Sequence, residues 1–366
     1  MTRLQYWKII NIDKRHTIEF DSLRLSDILF SHEPTRLVWA LARPRKFKPY
    51  QRSLKRGHST DPHDLGALNL PFDILERIFQ QFNYDDIADA VFLALTNSFL
   101  RDVGQNRVCE LLRIEYSCPW HLARIACVGN RLAGDDFPPG VKEREKAQLG
   151  GRAYDRFLGA NVPRLFIAEH ALADKRFRGY LGKIFSPRKT KFLSPAERRE
   201  MDSLLQPDFS WDGRPETEWI LCNWTEAKYV RASGVARLTD SRCDGPWTDG
   251  MLSLGHVLLT QICWSSERSG AIDDKRGLNI HRGPWAGHYI SITTVDQLTE
   301  NVSYNCKQYV DVTDKILAEV SELWRDNDMD VLECAAESSE SDDNEETFQE
   351  YTYSDDELYQ TMQSSI

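Results

Sequence analysis

A chain of 366 residues, 41% hydrophobic and 11% aromatic, has material for a sizeable core and length for two domains or one with appendages. Its formal net charge of −10 sits at one end: from Glu333 onward there are eleven Asp or Glu and no Lys or Arg, which leaves 46 basic against 45 acidic residues in the rest. At the level of overall charge nothing in that near balance argues for a nucleic-acid surface, and no apolar run reaches the length of a membrane span.

In chain order, Tyr6 to Arg15 reads as a strand and a turn, with Thr17 to Phe20 returning as a second strand. Apolar residues between Ser26 and Ala42 predict short helices interrupted at Pro34. Together these make an N-terminal hairpin-and-helix segment, 1–42. Arg43 to Arg56 holds seven Lys or Arg, two prolines and no acid, so 43–66 is read as a basic linker, either a solvated connection or a nuclear-import signal. A helical module follows over 67–112, then a mixed helical and strand body over 113–330.

Within that body, Glu143 to Phe185 has helical patterning broken at Gly150-Gly151. Ser194-Pro195-Ala196-Glu197 has the pattern of a capping box, predicting a helix that runs to about Leu205. Trp219–Asn223 and Lys228–Arg231 predict strands around a turn. Met251 to Trp264 is mainly apolar and fits either a buried strand or a helix. Tyr289 to Ile292 predicts a short alternating strand, and Asp311 to Trp324 an amphipathic helix with Asp311 as its cap. The last segment, 331–366, is too acidic and too poor in apolar residues to order itself and is expected to be disordered. A faint internal echo links Trp7 and Asn11 to Trp219 and Asn223, with Ile12 and Ile18 matching Trp224 and Val230. Either two similar hairpins share one sheet or the match is coincidence. The fold class expected is α+β: a three-helix module joined to a mixed body with antiparallel hairpins.

The eight cysteines form no CxxC pair and match no common zinc framework. Met1 to Trp7 lacks the apolar core of a signal peptide, so reduced thiols in a cytoplasmic and/or nuclear protein are expected.

The most informative stretch is Leu70-Pro71-Phe72-Asp73-Ile74-Leu75-Glu76-Arg77-Ile78-Phe79, where a proline opens a helix with Ile74, Leu75, Ile78 and Phe79 on one stripe. Asn83 to Asp86 supplies an acidic turn, Ile87, Val91 and Leu95 a second stripe, and Phe99, Leu100 and Val103 begin a third helix. This order resembles an F-box, the helical module that attaches a protein to a ubiquitin-ligase scaffold. The chain departs from many F-boxes at Thr96-Asn97-Ser98-Phe99, where those carry Cys-Lys or Cys-Arg before Trp. Gln5 to Asn11, Trp219 to Asn223, Tyr229 to Arg231 and Asn279 to His288 extend the likeness to an F-box-like family common in basidiomycete fungi. The resemblance implies a substrate-recognition subunit of a cullin–RING (SCF-type) ubiquitin ligase. Leu70, Pro71, Ile74, Leu75, Ile78 and Phe79 would contact a Skp-type adaptor, and through it a cullin. The body would hold an unknown protein target. No bond chemistry, cofactor, metal, membrane or nucleic-acid partner is implied. The alternative is a non-enzymatic scaffold whose F-box-like helices are only structural.

One further region invites an active-site reading. Cys263, His281 and His288 supply a nucleophile with bases, or metal ligands, if they converge; Ile262-Cys263-Trp264 otherwise reads as a core thiol. The Gly- and Pro-rich stretch Arg282 to Gly287 is read as a tight loop fixed by Trp285. Arg282, Trp285 and His288 are the candidates there for target recognition, because recognition loops expose aromatic side chains.

Overall fold

The computed structural model of the chain describes residues 5–18, 20, 24–45, 62–83, 86–116, 120–133, 135–149, 167–168, 190–205, 208–268, 272, 277–298 and 308–327. The acidic segment 331–366, the centre of the basic linker and the Gly150-Gly151 break lie outside them. The chain is α+β. Strands β1 (Trp7–Asn11) and β2 (His16–Ile18) lead into helices α1 (Leu25–Leu29) and α2 (Thr35–Leu41). Helices α3 (Phe72–Gln81), α4 (Ile87–Leu95) and α5 (Ser98–Tyr116) follow, then strand β3 (Ala123–Gly129). Next come α6 (Glu143–Leu149), β4 (Ile167–Ala168), α7 (Pro195–Leu205), β5 (Trp219–Asn223), β6 (Lys228–Arg231) and α8 (Ala232–Leu238). The small strands β7 (Cys243–Asp244) and β8 (Trp247–Thr248) precede α9 (Leu254–Ile262) and β9 (Cys263–Trp264). The described chain closes with β10 (His288–Thr294), β11 (Val310–Asp311) and α10 (Thr313–Asp326).

One mixed sheet carries the order β11-β6-β5-β10-β3-β1-β2-β4, with β9 joined to β3 beyond the end of its pairing with β10. Sequence reading set the N-terminal segment 1–42 apart from the body 113–330, yet β1 pairs β3 over five residues, and the two segments share this sheet. Long-range strand pairing is invisible to local patterning, which is why the boundary misleads. The four central strands are covered on both faces. Trp7, Ile9, Ile125, Cys127, Trp219, Leu221, Ile290 and Ile292 point into the main core, which α2, α9 and α10 cover. Ile10, Ile12, Ala126 and Val128 point the other way into a second cluster, and Ile220 and Cys222 into a third. The period of two is intact: Ile290, Ser291, Ile292 and Thr293 of β10 alternate apolar and polar as expected, and burial on both faces means that the polar members are buried too.

Two local predictions resolve cleanly. Ser194 and Glu197 form the expected capping box, the Ser194 N–H donating to Glu197 Oε2 at 2.6 Å and the Glu197 N–H to Ser194 Oγ at 3.3 Å. The apolar run 251–264 is both structures in succession, a buried helix α9 and then strand β9. Asp311 lies at the end of β11 and accepts the Thr313 N–H at 3.0 Å, so it steadies the entry to α10 from just outside the helix.

Helix α9 begins with a less common box. Ser253 Oγ accepts from the Gly255 N–H, and His256 Nδ1 accepts from the Ser253 N–H at 3.0 Å. The other ring nitrogen of His256 lies 2.7 Å from the Ser31 carbonyl oxygen, which can only accept, so Nε2 carries the proton. His256 is fully buried, and desolvation pushes its pKa down to about 4. A group lowered below its unfolded value of 6.5 stabilises the fold above that pH and loses the contribution as pH falls towards 4. Between pH 7 and 4.5 this one histidine is expected to remove roughly 2–3 kcal/mol of stability. Urea midpoints at the two pH values check it: the wild-type difference should shrink in His256→Gln.

Candidate partner-binding module

Helices α3, α4 and α5 close a core of their own, with Leu75 and Phe79 from α3, Ile87, Ala90, Val91 and Ala94 from α4, and Leu100, Val103, Val108, Leu111 and Leu112 from α5. Helix α7, placed by sequence in the body, belongs here: Met201, Leu204 and Leu205 complete this cluster. A three-helix unit of this size buries too little apolar surface alone, and the fourth helix supplies more. Gly104 sits inside α5, where glycine costs about 1 kcal/mol against alanine. Its reason is Phe79, whose ring lies where a Cβ at position 104 would stand. Arg107 of α5 donates twice to the Phe82 carbonyl oxygen, at 3.0 and 2.7 Å, and so caps the C-terminus of α3, with Glu110 holding the guanidinium at 2.7 Å. Asn97 Oδ1 accepts the Phe99 N–H at 2.7 Å at the start of α5, one residue before the Phe99 start expected from sequence.

The six residues expected to meet an adaptor divide between two environments. Leu75 and Phe79 are each 1% exposed and belong to the module's own core, and Ile78 is half-buried against it. Leu70, Pro71 and Ile74 are exposed, and Phe72, at 51%, is more exposed than Leu70 or Ile74. Pro71 is the capping residue of α3 rather than part of its first turn, and its carbonyl oxygen accepts from Ile74 and Leu75. Sequence reading missed Phe72. The signal was available: an apolar residue at the first helical position, off the stripe that fills the core, has no inward face to occupy.

The region around Arg282 differs from expectation. Trp285 is 2% exposed and packs in the main core, and His288 is buried, with Nδ1 3.0 Å from Asn223 Nδ2. Burial moves the His288 pKa down. The loop therefore shows no aromatic side chain at Trp285 for recognition. Arg282 is half-exposed but occupied: both terminal nitrogens donate to Asp136 at 2.6 Å, and the guanidinium lies 4.6 Å from the Trp264 ring. Burial alone would raise the Asp136 carboxyl. Hydrogen bonds from Arg282, Ser266 and Trp264 outweigh it and hold the group below its ordinary pKa. Cys263 is fully buried, donates to the Leu259 carbonyl oxygen and has its thiol pushed up by desolvation, which leaves no thiolate for nucleophilic attack. Its neighbour across the parallel pair β3–β9 is Cys127, not a histidine. Among the described residues, no three His, Cys, Asp or Glu side chains gather to hold a metal ion, and no helix is long and apolar enough to cross a membrane. In comparison with known proteins, no family model, no curated protein and no solved structure matches the chain.

Proposed function

We propose that the chain is a substrate-recognition subunit of an SCF-type ubiquitin ligase, with the start of α3 docking a Skp-type adaptor. The observation that supports this reading is the exposed apolar group Leu70, Pro71, Phe72 and Ile74, on a helix whose opposite side closes the module's own core. Apolar side chains left outside a core that is already complete are the mark of a partner surface. In this reading the module contributes proximity rather than bond chemistry. It holds a target beside the activated ubiquitin carried by the cullin arm and so raises the effective concentration of target lysines. The compartment that follows is cytoplasmic and/or nuclear.

The test is a titration of purified Skp-type adaptor against wild-type chain and a Phe72→Asp, Ile74→Asp variant. Both substitutions are on the surface and should leave the melting temperature nearly unchanged, while affinity falls by roughly 100-fold or more, as expected for loss of a central apolar anchor. If folded wild-type chain does not bind, the scaffold reading stands instead.

A further inference from the structure

We infer that the sheet body is two copies of one hairpin–helix–helix–strand unit, and that α3–α5 lie in an insertion within the first copy. The first copy comprises β1, β2, α1, α2 and β3; the second comprises β5, β6, α8, α9 and β10. In the hairpins, Ile9 faces Ile18 and Asn11 faces His16, while Leu221 faces Val230 and Asn223 faces Lys228. Both turns close on a buried asparagine. Asn11 Oδ1 accepts the Lys14 N–H at 2.9 Å, and Asn223 Oδ1 accepts the Glu226 N–H at 3.1 Å. Both turns end on a residue in left-handed backbone, Arg15 at φ 57° and Ala227 at φ 54°. Each hairpin then pairs with its own closing strand in the same register: Trp7 with Gly129 and Asn11 with Ile125, Trp219 with Thr294 and Asn223 with Ile290.

The closing strands repeat one another as well. Each is entered from a buried tryptophan, Trp120 or Trp285, through a left-handed residue, Leu122 at φ 55° or Gly287 at φ 77°. The Leu122 N–H donates to the Ile290 carbonyl oxygen and the Gly287 N–H to that of Ile125, a reciprocal pair. The strands β3 and β10 pair His288 with Ile125 and Ile290 with Ala123, so the two copies exchange about an axis through Arg124 and Tyr289. The helices obey the same exchange. Residue Ala42 after α2 bridges Ile292 in parallel, and Cys263 after α9 pairs Cys127 in parallel. Leu37, Val38 and Leu41 of α2 correspond to Leu258, Leu259 and Ile262 of α9, all six in the main core. In the second copy, residues 264–284 join helix to strand; in the first, the same connection carries α3–α5. Two unrelated hairpins would share a turn type, but not reciprocal registers, matched helix ends and matched tryptophans. The inference does not rest on the proposed adaptor binding.

The copies differ at the axis, and that difference supplies the test. In the first copy Asp13 accepts the Arg124 N–H at 2.8 Å and pairs with its guanidinium; in the second, the neutral Thr225 Oγ1 accepts the Tyr289 N–H at 3.0 Å, and the Arg124 guanidinium lies 5.7 Å from the Tyr289 ring. Tyr289→Arg, which sets a second guanidinium opposite Arg124, should lower Tm. Adding Thr225→Asp should rebuild the first copy's ion pair and raise Tm again by several degrees, whereas Glu226→Asp, one residue along, should not. Rescue by both, or by neither, overturns the equivalence. Amide exchange gives an independent reading in singly substituted, folded chains. Asp13→Ala should speed exchange at Arg124, and Thr225→Ala at Tyr289, each by roughly tenfold. An effect at one site without the other also overturns it.

Discussion

Trp285→Ala is expected to cost about 3–5 kcal/mol, the range for removing a fully buried large aromatic side chain. The indole lies in the main core, and the Trp285 carbonyl oxygen accepts the His288 N–H at 3.0 Å where β10 begins. Its loss leaves a cavity at the entry to a central strand, and that site has little freedom to collapse, because Gly287 is pressed against Gly140 on the other side of the turn. Urea unfolding followed by near-UV circular dichroism measures the change. A loss under about 1 kcal/mol would contradict the placement of Trp285 in the core. Because that same residue was expected to face a target, the experiment also separates a packing role from a recognition role.

Arg124→Leu is the second large effect. The Arg124 guanidinium, 6% exposed, donates to Asp13 at 2.6 and 2.9 Å and to Glu145 at 2.6 and 2.8 Å. Its hydrogen bonds hold the Glu145 carboxyl down to about 2, against the opposing effect of desolvation. Removing the arginine leaves two partly buried carboxylates without the guanidinium that bridges them, a change that costs about 3–5 kcal/mol in buried pairs. A fall in Tm of roughly 4–7 °C at pH 7 is expected for a chain of this size. The sign with pH is fixed by Glu145: a carboxylate lowered below its unfolded value stabilises the fold above about 4.5 and loses that contribution as pH falls towards 2. The gap between wild type and variant should therefore narrow in acid. Arg124→Leu combined with Glu145→Leu should recover part of the loss, since it removes one stranded charge along with its partner.

What the sequence made legible was local. The Ser194 capping box, the turn after Asn223, the hairpin of Trp7 to Ile18 and the helix at the C-terminal side of Asp311 all depend on neighbours in the chain, and they stand where they were read. The faint Trp–Asn echo left two similar hairpins and coincidence equally open, and it could not show that β3 and β10 repeat each other too, because few residue identities survive there. What stayed hidden depends on partners far along the chain. The loop reads both as fixed by Trp285 and as a recognition surface, and nothing local chooses between the two; nothing near Met201 says that α7 completes the module of α3 to α5. The adaptor candidates show the same limit: a stripe at helical spacing marks which side chains share a face, not which of them the fold has already used.

The order in which the central strands are made bears on how the protein comes off the ribosome. Space places β10 between β3 and β5, yet in the chain it follows both. Until residue 294 has been synthesised, β5 and the Ala123–Ile125 end of β3 each present a bare edge, and the two halves of the sheet are joined by α9 against α2 and by the short β9 on β3 rather than by a central strand. The helical module is complete once α7 has been made, whereas the sheet must wait for its keystone strand. Nascent chains stalled before His288 would carry two open β-edges capable of pairing with neighbouring chains, which makes the late stage of translation the period of greatest aggregation risk.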